Sequence, residues 1–236
     1  NTTSQTSSAE YMIGAAVSPT QQWASALFSA DGTGSSNCNP VSSSQRCLLA
    51  TTTGDALIQA CSLASMDADG FTLNRDWTGP SRTYFYLALK GANLRFAAKA
   101  FQQPASTGEQ SITNVGFTPS VEIFASAGVS TEDSVTPSVD NTQSAVASSS
   151  AAYANRTADI DAADPTSVTS SGPSSSYALT FGNPTSSNTA VFQSQDSDGF
   201  TVDWTLVDGT QRWGYFFAIG LPTEEGSTSI IAAHSS

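Results

Sequence analysis

The chain has 236 residues, 39% of them hydrophobic and only 12% charged, with 20 acidic against 8 basic residues and a formal net charge of −12. That length holds one large domain or two of about 100–120 residues, each able to bury a core. The acidic balance argues against nucleic acid and anionic membranes as partners, and the scarcity of charge, with Ser, Thr and Ala in its place, favours extended, turn-rich chain over solvated helices, so an all-β fold is expected.

In chain order, strands are expected over residues 10–16, 23–28, 46–51, 56–65, 71–77, 83–89, 94–101, 111–115 and 121–127. Others are expected over 143–153, 177–181, 189–192, 200–206, 213–219 and 229–233. The clearest is 200–206, where Phe200, Val202, Trp204 and Leu206 share one face and Thr201, Asp203 and Thr205 the other, the period of a half-buried strand. In 71–77, Arg75 falls among the apolar positions and is expected near a sheet edge, with its head in water. Residues 83–89 and 213–219 are apolar on both faces and read as central strands. Short polar turns, one of them containing Asp208-Gly209, are expected to join 71–77 to 83–89 and 200–206 to 213–219 as hairpins. The Ser/Thr-rich stretch 155–176 lacks periodicity and reads as an exposed, mobile loop.

The chain repeats one phrase. Ser65-Met66-Asp67-Ala68-Asp69-Gly70-Phe71-Thr72-Leu73 returns as Ser194-Gln195-Asp196-Ser197-Asp198-Gly199-Phe200-Thr201-Val202, about 130 positions later. Asp76-Trp77-Thr78 then answers Asp203-Trp204-Thr205, and 84–89 answers 214–219. A repeat of this size is a domain-sized unit. The expected organisation is two tandem antiparallel β-sandwich, jelly-roll-like domains related by internal duplication: a first copy over 1–108 and a second over 109–236, with 92–107 as the bridge. Gly116-Phe117-Thr118-Pro119 and its strand precede the second copy, and nothing equivalent precedes the first. The first copy is therefore expected to lack one strand and to expose a sheet edge, to be completed by the chain's own tail around Ile230 and Ile231 or by a neighbouring chain.

Candidate chemistry is sparse. Ser65, Asp67, Asp69, Gly70 and Asp76 match positions 1, 3, 5, 6 and 12 of a calcium loop. The flanking pattern is strand rather than helix, and the second copy has Thr205 at the last position. Asp67, Asp69, Asp76, Asp196 and Asp198 are thus weak calcium candidates, and no other cofactor is implied. The favoured reading is an Asp-Gly turn feeding a core strand. Gly70, Phe71, Trp77, Gly199, Phe200 and Trp204 are then turn and core residues. Paired carboxylates at the two turns leave a glycosidase conceivable. The single histidine, His234, stands close to the last residue, which removes Ser-His-Asp and imidazole-metal chemistry. A non-enzyme with no catalytic residues is expected.

Cys38, Cys47 and Cys61 all lie in the first copy. Cys38 and Cys47 could close a small loop, or all three could be buried thiols. Their odd number, without C-x-x-C spacing, argues against a metal cluster. Trp23, Trp77, Trp204 and Trp213 are expected in the cores, with sugar-stacking platforms as the alternative. No apolar run reaches the ~20 residues that cross a bilayer, and no signal-peptide pattern opens the chain.

The S-x-D-x-D-G-F-T-[LV] turn, the aromatic strand that follows it, and the Gly116-Phe117-Thr118-Pro119 strand ahead of residues 143–154 resemble a β-repeat of tailed-phage virion proteins. The resemblance covers most of the second copy and the last two-thirds of the first. It implies a virion structural protein at the particle surface, a capsid decoration or cement protein in preference to a tail or fibre component. Its partners would be other virion proteins and copies of itself. A carbohydrate-binding or adhesion module, with a host-surface glycan as ligand, is the alternative.

Overall fold

The computed structural model describes residues 8–30, 37–52, 56–77, 79–136, 139–148, 150–160, 169–183 and 186–222. The described chain is all β, with no helix. Its strands are β1 (Ser8–Ser18), β2 (Gln21–Ala30), β3 (Asn37–Cys38), β4 (Val41–Ser43), β5 (Leu48–Thr51), β6 (Leu57–Met66) and β7 (Phe71–Trp77). They continue as β8 (Arg95–Gln102), β9 (Gly108–Ile112), β10 (Val121–Ser126), β11 (Val139–Ala147), β12 (Ala152–Ile160) and β13 (Thr169–Ser174). The last are β14 (Leu179–Asn183), β15 (Ser186–Asp196), β16 (Gly199–Leu206) and β17 (Trp213–Gly220).

Four antiparallel sheets result: β5-β6-β7; β1-β2-β3 with β4 also on β2; β13-β12-β11-β10-β17-β8; and β14-β15-β16-β9. They stack in that order because strand alternation gives each inner sheet two apolar faces. Ala24 and Ala26 of β2 pack with Leu49 and Ala60 of the three-stranded sheet. Trp23 packs the opposite way, with Ala98, Ala125 and Tyr215 of the six-stranded sheet. The other face of that sheet meets β14-β15-β16 across Phe101, Phe124, Phe181, Phe200, Phe216 and Trp204. Their rings meet mostly edge-on or tilted, for example Phe200 on Phe216 at 5.1 Å and 89°, geometries that aromatic quadrupoles favour. Gly214 leaves room for two of these rings, since an added Cβ would stand 2.5 Å from Phe101 and 2.8 Å from Phe181.

The two halves join at a buried polar seam. The Trp23 indole stacks on Tyr215 at 5.6 Å and donates to Phe216 O at 2.7 Å. The Tyr215 hydroxyl donates to Glu132 Oε1 at 2.8 Å and lies 2.7 Å from Ser42 Oγ. Burial, together with the nearby carboxylates, pushes that phenol far above its usual range. The loop between β10 and β11 continues the seam, with Asp133 N donating to Ser42 O and its carboxylate paired with Arg46.

Several expectations are corrected. Residues 143–153 are two strands joined by a turn, β11 and β12. Within 155–176, read as a loop, lie the end of β12 and the whole of β13; short polar side chains hide strands whose backbones carry the pairing. Residues 113–115 lie beyond the end of β9. β16 and β17 form no hairpin, because they belong to facing sheets, and the polar turn between them is an arch. Arg212 clamps that arch through a two-pronged pair with Asp208, both bonds 2.8 Å. The true hairpin turns are the repeated acidic phrases, between β6 and β7 and between β15 and β16. Cys38, Cys47 and Cys61 form no disulfide with one another, so the Cys38–Cys47 bridge is absent. Burial and the neighbouring Cys61 push the Cys47 thiol up to about 11, which keeps it protonated and unreactive near neutrality. Residues 229–233 lie outside the described residues.

The Trp23 seat predicts a measurable cost. Trp23→Phe keeps most of the ring but removes the donor to Phe216 O, and should lower unfolding stability by about 1–2 kcal/mol. Trp23→Ala should cost about 3–5 kcal/mol. Urea unfolding followed by circular dichroism checks both.

Candidate functional site

The two acidic turns are built alike. Ser65 Oγ donates to Asp67 Oδ1 and Thr72 Oγ1 to Asp67 Oδ2, both at 2.8 Å. Ser194 and Thr201 do the same to Asp196, at 2.8 and 2.7 Å. The first carboxylate of each phrase is thus occupied in stapling its own hairpin. The pairing register is also shared. Leu63↔Leu73, Ser65↔Thr72 and Met66↔Phe71 match Phe192↔Val202, Ser194↔Thr201 and Gln195↔Phe200, with an irregularity at the same place in each. This register corrects the sequence alignment in one place. Arg75 lies opposite Cys61 as Trp204 lies opposite Ala190, and Trp77 lies opposite Ala60 as Leu206 lies opposite Thr189. The position of Trp204 is held in the first half by Arg75.

The second carboxylate of each phrase behaves differently in the two halves. Asp198 receives a run of backbone amides: Asn114 N on Oδ2 at 3.0 Å, Gly116 N on Oδ1 at 2.6 Å, and Val115 N on its own carbonyl at 3.1 Å. Asn114 and Gly116 hold positive φ, 63° and 91°, which turns successive N–H groups inward as an anion-receiving nest. The nest leads β9, paired on the edge of β16, across to β10. Gly199 lies under this crossing, where an added Cβ would stand 1.9 Å from Ile112 O. Asp69 is exposed and has no partner among the described residues, and nothing lies within 4 Å of a Cβ added at Gly70. Asp76 faces Ser62 and, at 3.7 Å, Arg46. Among the described residues no group of three or more His, Cys, Asp or Glu is placed to hold a metal ion.

The open turn borders an open face. Phe71 and Trp77, expected in a core, are 37% and 56% exposed. Residues 83–89, expected as a central strand, belong to no sheet, and Phe85 and Leu87 are 97% and 82% exposed. The reason lies in their flanks. In the second half β17 is held between β10 and β8. In the first half β1 pairs only with β2, and β7 only with β6, among the described residues. Among the described residues, side chains anchor the segment: Tyr84 Oη donates to Gln59 Oε1 at 2.7 Å, Arg82 pairs with Glu10, and Tyr86 meets Phe71 edge-on at 5.2 Å and 86°. That ring pair reproduces Phe200 on Phe216. Trp23 and Trp204 are buried and Trp213 half-buried, so only Trp77 fails to reach a core. The sequence motif identified the acidic phrase but did not reveal that Asp69 and Gly70 would be left unused; the signal was the missing Gly-Phe-x-Pro segment.

β10 carries a buried carboxyl, Glu122, with no hydrogen-bond partner among the described residues on either oxygen. Burial pushes it up to about 7, and the nearby Gln195 amide offsets this only in part. Between about 4.5 and about 7 the folded state therefore holds a proton that the unfolded chain releases. Stability should be full below that window and fall as pH rises through it, by up to about 3 kcal/mol. Glu122→Gln should flatten the dependence and raise the melting temperature at pH 8, as read by thermal melts across pH 4–9. The chain matches no protein-family model, no curated protein and no solved structure.

Proposed function

We propose that this chain is a virion structural protein, a capsid decoration or cement subunit on a tailed-phage particle, which assembles through sheet edges and apolar contacts and catalyses no reaction. The observation that carries this reading is the exposed apolar surface of the first half: Phe71 and Trp77 on β7, and Phe85, Tyr86, Leu87 and Leu89 in the segment after it, are all exposed, and among the described residues β7 has one unpaired edge. Concentrated exposure of this kind marks an interaction surface, and an unpaired strand offers a row of backbone donors and acceptors to a partner. The net charge of −12 keeps the free subunit soluble while such a face is open. The resemblance of the repeated phrase to tailed-phage virion repeats supplies the particle.

A second reading, a glycan-binding module, draws on the exposure of Trp77 and Tyr86, since aromatic faces stack on sugars. It is the weaker one, because the carboxylate of Asp67 is taken up by Ser65 and Thr72.

Quantitative mass spectrometry of purified particles should find the chain in many copies, at a fixed ratio to the main capsid protein. Its absence from particles, together with selective binding on a glycan array that Trp77→Ala abolishes, would replace the first reading by the second.

A further inference from the structure

We propose that the first half is an acceptor for a strand donated by another protein. The donor is an extended segment that pairs with the free edge of β7, docks a backbone nest on Asp69, and crosses to lie between β1 and residues 84–89. The inference rests on the assembly reading above and names the partner by its chemistry: a polypeptide carrying an Asn-x-Gly-Phe-x-Pro turn between a short polar strand like β9 and an apolar strand like β10.

Three independent observations carry it. The second half displays the occupied form of the same arrangement. There β9 lies on β16 with Ile112 opposite Phe200, Ser111 opposite Thr201 and Gln110 opposite Val202. β10 lies between β11 and β17, with Phe124 buried against Phe101 and Phe200. The first half keeps the corresponding edge strand, acidic turn and ring pair. β7 has the register of β16, Phe71 and Tyr86 meet as Phe200 and Phe216 do, and residues 84–89 are anchored by their side chains while their backbone is in no sheet.

The third observation concerns groups with no use in the isolated chain. Asp198 and Gly199 are explained by the crossing segment: the carboxylate receives the nest, and the glycine makes way for Ile112 O. Asp69 and Gly70 are the same residues at the same turn, yet among the described residues Asp69 has no partner and nothing lies within 4 Å of a Cβ added at Gly70. A donor placed as residues 108–126 are placed would use both.

The donor is a different polypeptide and not residues 108–126 of a second copy. In each copy that segment is already enclosed: Phe124 is fully buried, and Ile112, Val115 and Phe117 belong to the same core. Withdrawing it would dismantle the second half.

The test uses the full chain and a labelled synthetic peptide with the sequence of residues 108–127, followed by fluorescence anisotropy. The wild-type chain should bind the peptide saturably, and a scrambled peptide should not bind. Asp69→Ala should weaken binding tenfold or more, about the effect of losing hydrogen bonds to a charged group. Gly70→Ala should melt at the wild-type temperature, because its Cβ meets open space, yet abolish binding by obstructing the donor. Absence of binding, or binding that Gly70→Ala leaves unchanged, overturns the proposal. So does a dimer of the chain alone that buries Trp77 and excludes the peptide, or binding that appears only after residues 223–236 are removed. These outcomes are independent of particle membership, which mass spectrometry of particles decides separately.

Discussion

A strand in a sandwich is held by hydrogen bonds to both neighbours as much as by the side chains beneath it. β17 has β10 on one edge and β8 on the other, and from that position it covers β16 with Phe216 and Ala218. Residues 84–89 carry an equally apolar sequence but, among the described residues, no strand pairs with them on either edge, and most of their side chains are exposed. Burial alone did not suffice to make that segment a strand; unpaired amides under a lid of apolar groups would cost more than the contacts return. The state of the whole first half follows from this. Without a strand over it, the sheet β5-β6-β7 keeps an uncovered portion, and Phe71 stays near the surface while its counterpart Phe200 is fully buried.

The first half nevertheless keeps its shape because it leans on the second. The β1–β2 hairpin is sheathed by the three-stranded sheet on one face and by the six-stranded sheet on the other. Trp23 ties it to β17, and Ser42 and Arg46 tie its surroundings to the loop carrying Glu132 and Asp133. The seam is polar where it could have been greasy, and each hydrogen bond there fixes an orientation that apolar packing alone would leave free. The open face is therefore presented on a rigid support, which lowers the ordering cost of any partner that binds it.

Much of this was legible in the residues. The all-β class and the alternation through β16 read correctly from the sequence, which also displays the doubled phrase and no Gly-Phe-x-Pro segment ahead of its first occurrence. The failures share one cause, that side-chain patterning is silent about edges. Residues 83–89 look like a core strand because their composition is that of one, whereas strand formation depends on neighbours that lie elsewhere in the chain. β13 was missed for the converse reason, since its Ser-rich residues carry no apolar signal while its backbone has β12 to pair with. The hairpin assigned to β16 and β17 failed because a short polar turn fits an arch between sheets as well as a hairpin within one. Asp69 and Asp198 are indistinguishable in the sequence; only the nest over one and the vacancy over the other separate them.

The register of β7 adds a last constraint. Where β16 has Trp204, buried and donating to Gln110 Oε1 at 2.9 Å, β7 has Arg75. A tryptophan there would enlarge an uncovered apolar face and invite indiscriminate edge pairing. An arginine can cover neighbouring apolar surface with its stem and keep its head in water. Arg75 is exposed, as that role requires, and Asn74 and Asp76 beside it further discourage a purely apolar strand from pairing at this edge. The substitution tunes the half-sandwich to persist open in water, while the turn beside it retains the carboxylate and the glycine that a crossing strand needs. An acceptor must combine these properties: an edge polar enough to remain solvated when empty, and a turn that admits a chain only in one geometry.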